Sequence, residues 1–197
     1  MSESSREIGR FLKHSGIYAI GNALNRFGAL LLLPVYTRYL SPTEYGVLES
    51  LYLISTVVSG LLGVGIAHAT LRFYFDYEKQ VDRNSVVSTN LIASLCISVA
   101  GVCLVAAAGP LITSQFLPDQ NVGAAFYWML VTIIFELASQ VGLAYARATE
   151  KSLLFIGVSF AKLLIQLAAN SFALVVMGSG VEGVLMGNAL AVISGCA

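Results

Sequence analysis

Three charged side chains, Arg26, Glu136 and Lys162, are sunk inside stretches that are otherwise apolar. A charge near the centre of a membrane helix costs about 2.5–3.5 kcal/mol on insertion scales, so such residues face a polar interior rather than lipid. Two cations and one carboxylate at similar depth leave one net positive charge, which suits an anionic group better than a cation. Hydroxyl, amide and phenol groups accompany them at helical spacing. Tyr18, Asn22, Asn25 and Arg26 share one face of a first helix, and Glu49, Tyr52, Thr56 and Ser59 one face of a second. Thr132, Glu136, Ser139 and Gln140 line a fourth, and Ser159, Lys162, Gln166 and Asn170 a fifth. Lipid cannot solvate such faces, so they are expected to look onto neighbouring helices or a water-filled cavity. The third helix carries a weaker stripe, Ser88, Asn90, Ser94 and Ser98, and is expected to lie more peripherally.

The candidate binding residues follow from these stripes. Arg26 and Lys162 would meet an anion, and Tyr18, Asn22, Tyr52, Glu136 and Asn170 would offer polar contacts. Glu136 and Lys162 also read as an interhelical pair that neutralises itself, and Arg38 with Glu49 as a pair at the outer rim. His14 and His68 read as interfacial residues. No catalytic set emerges: there is no nucleotide-binding loop and no metal-ligand spacing. An enzyme, a metal site and a cofactor are therefore not expected. Cys96, Cys103 and Cys196 read as small packing residues rather than a disulfide framework.

The elements that must position these groups are membrane spans. Tyr18 to Tyr36, Val47 to Ala69, Val86 to Ile112, Val122 to Tyr145 and Leu153 to Met177 are apolar and close to the about 20 residues that a bilayer core requires. A sixth segment begins near Val181 and is cut off at Ala197. Charged residues make up 11% of the chain and hydrophobic ones 57%, against about 25% charged in soluble domains. The 11 basic and 11 acidic residues balance, so no field for nucleic acid exists. The loops are too short to fold a domain, and any activity must live in the membrane or at its faces. Residues 1–13 read as a cytoplasmic amphipathic tail, and 14–197 as one incomplete transmembrane lobe. The glycines at 60, 63, 65, 183 and 187 are expected to admit close helix packing.

Orientation comes from the connections. Arg6, Arg10, Lys13, Arg72, Lys79, Arg83, Arg147 and Lys151 fall on the side of the N-terminus, and Arg38 alone on the other. That bias places the N-terminus in the cytoplasm. Tyr36, Tyr127 and Trp128 then fall near the outer interface.

The run Tyr18-Ala-Ile-Gly-Asn22 and the stretch Leu33-Pro34-Val-Tyr36-Thr37-Arg38-Tyr39-Leu40-Ser41-Pro42-Thr43-Glu44-Tyr45-Gly46 are familiar. With Arg72-Phe73-Tyr74, Arg147-Ala148-Thr149-Glu150-Lys151 and Gly180-Val-Glu-Gly183-Val-Leu-Met-Gly187, they resemble the N-terminal part of Wzx-type polysaccharide and O-antigen flippases. These belong to the multidrug/oligosaccharidyl-lipid/polysaccharide exporter superfamily. The apolar segments amount to an all-α transmembrane bundle of about five complete helices plus a truncated sixth. The resemblance makes this most of the N-terminal lobe of a transporter built of two six-helix lobes around a central cavity. It also implies a multi-pass protein of the inner membrane. The implied activity is translocation of an undecaprenyl-pyrophosphate-linked oligosaccharide by alternating access. Arg26 best fits the family's cationic cavity residues, whereas Lys162 enters by depth alone. The expected partners are the lipid-linked oligosaccharide, membrane lipid, a C-terminal lobe or partner chain, and glycan polymerase and assembly proteins. A cation-coupled small-molecule or multidrug antiporter and a non-transporting scaffold of a glycan assembly complex are the alternatives.

Overall fold

The structure is a computed structural model that describes residues 27–28, 30–63, 65, 69, 72, 80–116, 122–149 and 152–196. Every regular element among them is a helix: α1 (residues 30–39), α2 (Pro42–Gly63), α3 (Gln80–Ala107), α4 (Gly109–Phe116), α5 (Gly123–Ala148), α6 (Ser152–Val175) and α7 (Gly180–Ser194). Four of these, over Pro42–Gly63, Val87–Ala107, Gly123–Ala148 and Leu153–Val175, are long and apolar enough to cross a membrane. At about 1.5 Å rise per residue, each covers about the 30 Å of a hydrocarbon core. The fold is thus the polytopic helical bundle that the hydropathy pattern implies.

The start of α2 shows how sequence sets an element. Ser41 and Glu44 form a reciprocal capping box. The Glu44 carboxylate accepts from the Ser41 backbone N–H and hydroxyl, both at 2.8 Å, while Ser41 Oγ accepts the Glu44 N–H at 3.2 Å. Pro42 occupies the first helical position, where its missing N–H costs nothing. The helix therefore begins at Pro42, five residues before the apolar run that hydropathy marks at Val47. The third segment departs from expectation more strongly. Hydropathy predicts an unbroken run to Ile112, but α3 stops at Ala107 and α4 starts at Gly109. Pro110 cannot donate to the preceding turn and its ring crowds the carbonyl four residues back, so the helix breaks there despite continuous hydropathy.

At the other end of the bundle, α6 and α7 are joined by a tight reversal. Gly178 and Gly180 adopt φ of 61° and 54°, the left-handed region that glycine occupies without strain. Met177 and Ser179 donate their N–H groups back to the carbonyls of Phe172 and Ala173, satisfying the end of α6. The α5–α6 turn is held differently. Arg147, in the last turn of α5, donates to Leu143 O and lies 5.9 Å from the ring centre of Phe155 on α6.

The bundle is organised around α5, which packs against α2, α3, α6 and α7. Met129, Ile133, Leu137 and Val141 repeat at four-residue spacing along it and are 0–1% exposed. Leu32, Leu48, Leu51 and Leu185 close over that stripe from the neighbouring helices. The outer faces are apolar too: Leu53, Leu61, Leu104 and Leu153 are 67–83% exposed. In water such a surface would aggregate, whereas in a bilayer it is the surface that meets acyl chains. Cys96 and Cys103 lie on this outer surface of α3 and are exposed, not packing residues. α3 itself rests mainly on α5, with Ser94 and Ser98 fully buried and bonded to carbonyls of their own helix. Among the glycines expected to admit close packing, Gly63, Gly183 and Gly187 have side chains pressed against them, while Gly60 faces open space.

Candidate functional site

Four helices converge on a polar cleft of about 370 Å³. α2 presents Tyr52, Ser55 and Ser59; α5 presents Thr132 and Glu136; α6 presents Lys162 and Gln166; and α7 presents Asn188. The four-residue steps from Ser55 to Ser59, Thr132 to Glu136 and Lys162 to Gln166 put each pair on one helical face. Because α5 sits centrally, its polar stripe is turned toward α2, α6 and α7 together rather than toward one neighbour.

Charge is concentrated at one end of the cleft. Lys162 Nζ lies 3.3 Å from Glu136 Oε2 and donates at the same distance to Ser139 Oγ. The lysine side chain is 16% exposed and the glutamate 38%. Bonds of 3.3 Å are long for charge-assisted pairs, which close to about 2.7–2.9 Å when tightly made. The glutamate's second oxygen has no partner among the described residues. The ammonium is therefore neutralised but not saturated, in a space that admits water. Arg38 and Glu49, by contrast, are both exposed and form no ion pair with each other among the described residues.

Beside the charged end lies a neutral network with shorter bonds. Asn188 Oδ1 accepts from Gln166 Nε2 at 3.0 Å and from Asn170 Nδ2 at 2.9 Å. Asn188 Nδ2 donates to the Tyr52 hydroxyl at 2.8 Å, and Asn170 Nδ2 to the Tyr36 hydroxyl at 2.8 Å. The network thereby ties α1 and α2 to α6 and α7. Asn170 is fully buried, and its Oδ1 has no hydrogen-bond partner. That oxygen is aimed at Gly187, where any side chain would collide with it.

The structure thus gathers Tyr52, Glu136 and Lys162 at one cleft and sets Asn170 behind it, reached through Asn188 rather than from the open space. Tyr18, Asn22 and Arg26 lie outside the described residues. Tyr36 is 6% exposed, and its hydroxyl accepts from Asn170 inside the bundle. Sequence reasoning passed over Asn188 as a site residue, although it is the one amide side chain in the segment Val181–Ala197 and the hub of the network. Among the described residues no group of three or more His, Cys, Asp or Glu side chains is placed to hold a metal ion. What the described residues gather is one ion pair, neutral as a whole, beside hydroxyls and amides.

Residues 35–196 match the family model described as polysaccharide biosynthesis protein. No curated protein and no solved structure matches the chain.

Proposed function

The chain belongs to the polysaccharide biosynthesis protein family, and from that premise we propose that it forms part of a flippase for a lipid-linked oligosaccharide. As a multi-pass membrane protein of that family it has a role in making polysaccharide. The proposed step is transfer of an undecaprenyl-pyrophosphate-linked oligosaccharide across the inner membrane, from the cytoplasmic to the outer leaflet. A sugar headgroup with its phosphates cannot cross hydrocarbon unaided, while its polyprenyl tail can stay in lipid. The two requirements are a hydrophilic space within the bundle and a cation to meet the phosphates.

One observation carries this reading: the largely buried Lys162, loosely paired with Glu136, in a cleft lined by hydroxyls and amides. Lys162 would take the phosphate, with Arg26 as a second cation. Tyr18, Asn22 and Tyr52 would contact the sugars. Glu136 keeps Lys162 neutralised while no substrate is present. Asn170 acts one step back, by fixing Tyr36 and Asn188. A second lobe or partner chain would complete the cavity, and rocking of the two halves would alternate its access.

The test is Lys162→Glu introduced into the gene in its own cell. Surface polysaccharide should disappear and the lipid-linked oligosaccharide accumulate in the membrane, with the protein present at its usual level. Normal glycan export by this variant would sink the proposal. Raised ethidium efflux on expression, with glycan export independent of the gene, would favour a cation-coupled antiporter instead.

A further inference from the structure

Asn170 and Lys162 of α6 each rest on a glycine of the neighbouring helix. A Cβ at Gly187 would run into the Asn170 amide, and one at Gly195 would sit 2.6 Å from Cδ and 2.7 Å from Cγ of Lys162. Gly183, with Ala173 opposite, continues the line, so the three glycines fall on the one face of α7 and its last turn that meets α6. Gly195 differs from the usual glycine at the end of a helix. Such glycines most often adopt the left-handed region, where a Cβ is penalised. Gly195 instead has φ of −80° and ψ of −10°, right-handed values open to any residue. Its backbone does not ask for glycine; the space beside it does.

That space is filled by a side chain with somewhere to reach. Side chains on a helix slope toward its N-terminus, and the N-terminal half of α6 lies beside the end of α7. The Lys162 stem runs over Gly195 before its ammonium arrives at Glu136 and Ser139 of α5, both at 3.3 Å. The glycine is held where it is. Its N–H donates to the carbonyls of Ala191 at 3.3 Å and Val192 at 3.1 Å, and the next residue, Cys196, donates from Sγ to Phe135 O of α5 at 3.4 Å. The lysine could not yield cheaply either, since Cγ and Cδ are the middle of its chain and not the free end. A side chain at position 195 would turn the stem into another rotamer and carry the ammonium away from α5.

Building on the flippase reading, in which Lys162 meets the phosphate, we infer that Gly195 is a positioning residue for that lysine. By carrying no side chain it lets the stem cross the end of α7 and sets the ammonium at the charged end of the polar cleft. The three atoms nearest to a Cβ at 195, namely Cγ, Cδ and Cε, all belong to Lys162, so the glycine acts through this one side chain. Gly187 gives Asn170 the same room, and a single face of α7 thereby places both the charged and the neutral polar groups of α6.

The test uses the full-length protein in its own membrane and a zero-length cross-link. A hydrophobic carbodiimide activates Glu136, and the amide formed with Lys162 is read by peptide mass spectrometry. Gly195→Ala should lower the yield of this cross-link about tenfold and glycan export about fivefold, with the protein at its usual level. Gly183→Ala is the control, because its Cβ would press on Ser179 and Ala173 at the far end of the same helix pair. It should lower the unfolding midpoint and leave the cross-link unchanged. Lys162→Ala, which removes the obstructed stem, should cancel any fall in midpoint caused by Gly195→Ala, and should restore the protein level if that variant alone does not fold. Full cross-linking in folded Gly195→Ala overturns the inference and leaves the flippase reading standing. So does an equal loss of cross-link in Gly183→Ala, or a Gly195→Ala folding defect that persists beside Lys162→Ala. Absence of the cross-link from the unaltered protein overturns it outright. Normal export by Lys162→Glu, with the cross-link behaving as expected, would remove the flippase reading alone.

Discussion

The two polar regions of this bundle share helices and lie within a few turns of each other, yet they are built on opposite principles. The network of Tyr36, Tyr52, Gln166, Asn170 and Asn188 is neutral and largely buried, with bonds of 2.8–3.0 Å. The Lys162–Glu136–Ser139 cluster is charged and partly open, with contacts of 3.3 Å. Neutral amides and phenols can be taken out of water once each is paired, and the low dielectric then strengthens every bond. Charges demand far more for full burial, so the ion pair keeps contact with solvent and stays loose. The comparison separates holding from handling: the neutral network fixes four helices together, and the charged cluster remains free to trade partners.

The largest expected effect comes from breaking the holding side. Gly187→Val would drive a side chain into the Asn170 amide and against its backbone nitrogen, which cannot move aside. Overpacking and the orphaned amide together should cost about 2–5 kcal/mol, read as a lowered unfolding midpoint in detergent. Next in size is Asn188→Leu, which removes the acceptor shared by Gln166 and Asn170 and the donor to Tyr52. Leaving those groups unpaired should cost about 1–3 kcal/mol, and the loss should persist in high salt because no net charge is involved.

On the handling side the pattern inverts. Lys162→Met should lower glycan export at least about tenfold while the protein stays folded and at its usual level. An unfolding midpoint that falls as far as that of Gly187→Val would erase the contrast between the two regions. The smallest effect is expected far from both. Ser41→Ala removes the α2 cap, should cost about 1 kcal/mol and should leave export unchanged.

Much of this was legible in the chain because helical periodicity is local. The spacing of Lys162, Gln166 and Asn170 on one face, and of Thr132 and Glu136 on another, needs only the geometry of a single helix. Partners across the fold are a different matter. Tyr36 and Asn170 are separated by 134 residues, and nothing near Tyr36 announces that its hydroxyl meets an amide. Hydropathy registers the Tyr36 ring at the end of an apolar segment but not the amide its hydroxyl meets. The break at Pro110 escapes hydropathy for a related reason: a missing N–H leaves no trace in it. The same blindness hid the start of α2, where polar Ser41 and Glu44 set the boundary instead of the apolar residues after them.

That boundary has a mechanical side. Only Leu40 and Ser41 separate α1 from α2, and the Tyr36 carbonyl and Ser41 carbonyl accept the next N–H groups on either side of the bend. Ser41 and Glu44 fix the first turn of α2 immediately after this corner. Tyr36 sits on one arm and Tyr52 on the other, and their hydroxyls meet Asn170 and Asn188, which are bonded to each other. Both arms of one short corner are therefore anchored to a single pair of amides, so α1 and α2 share one attachment to α6 and α7.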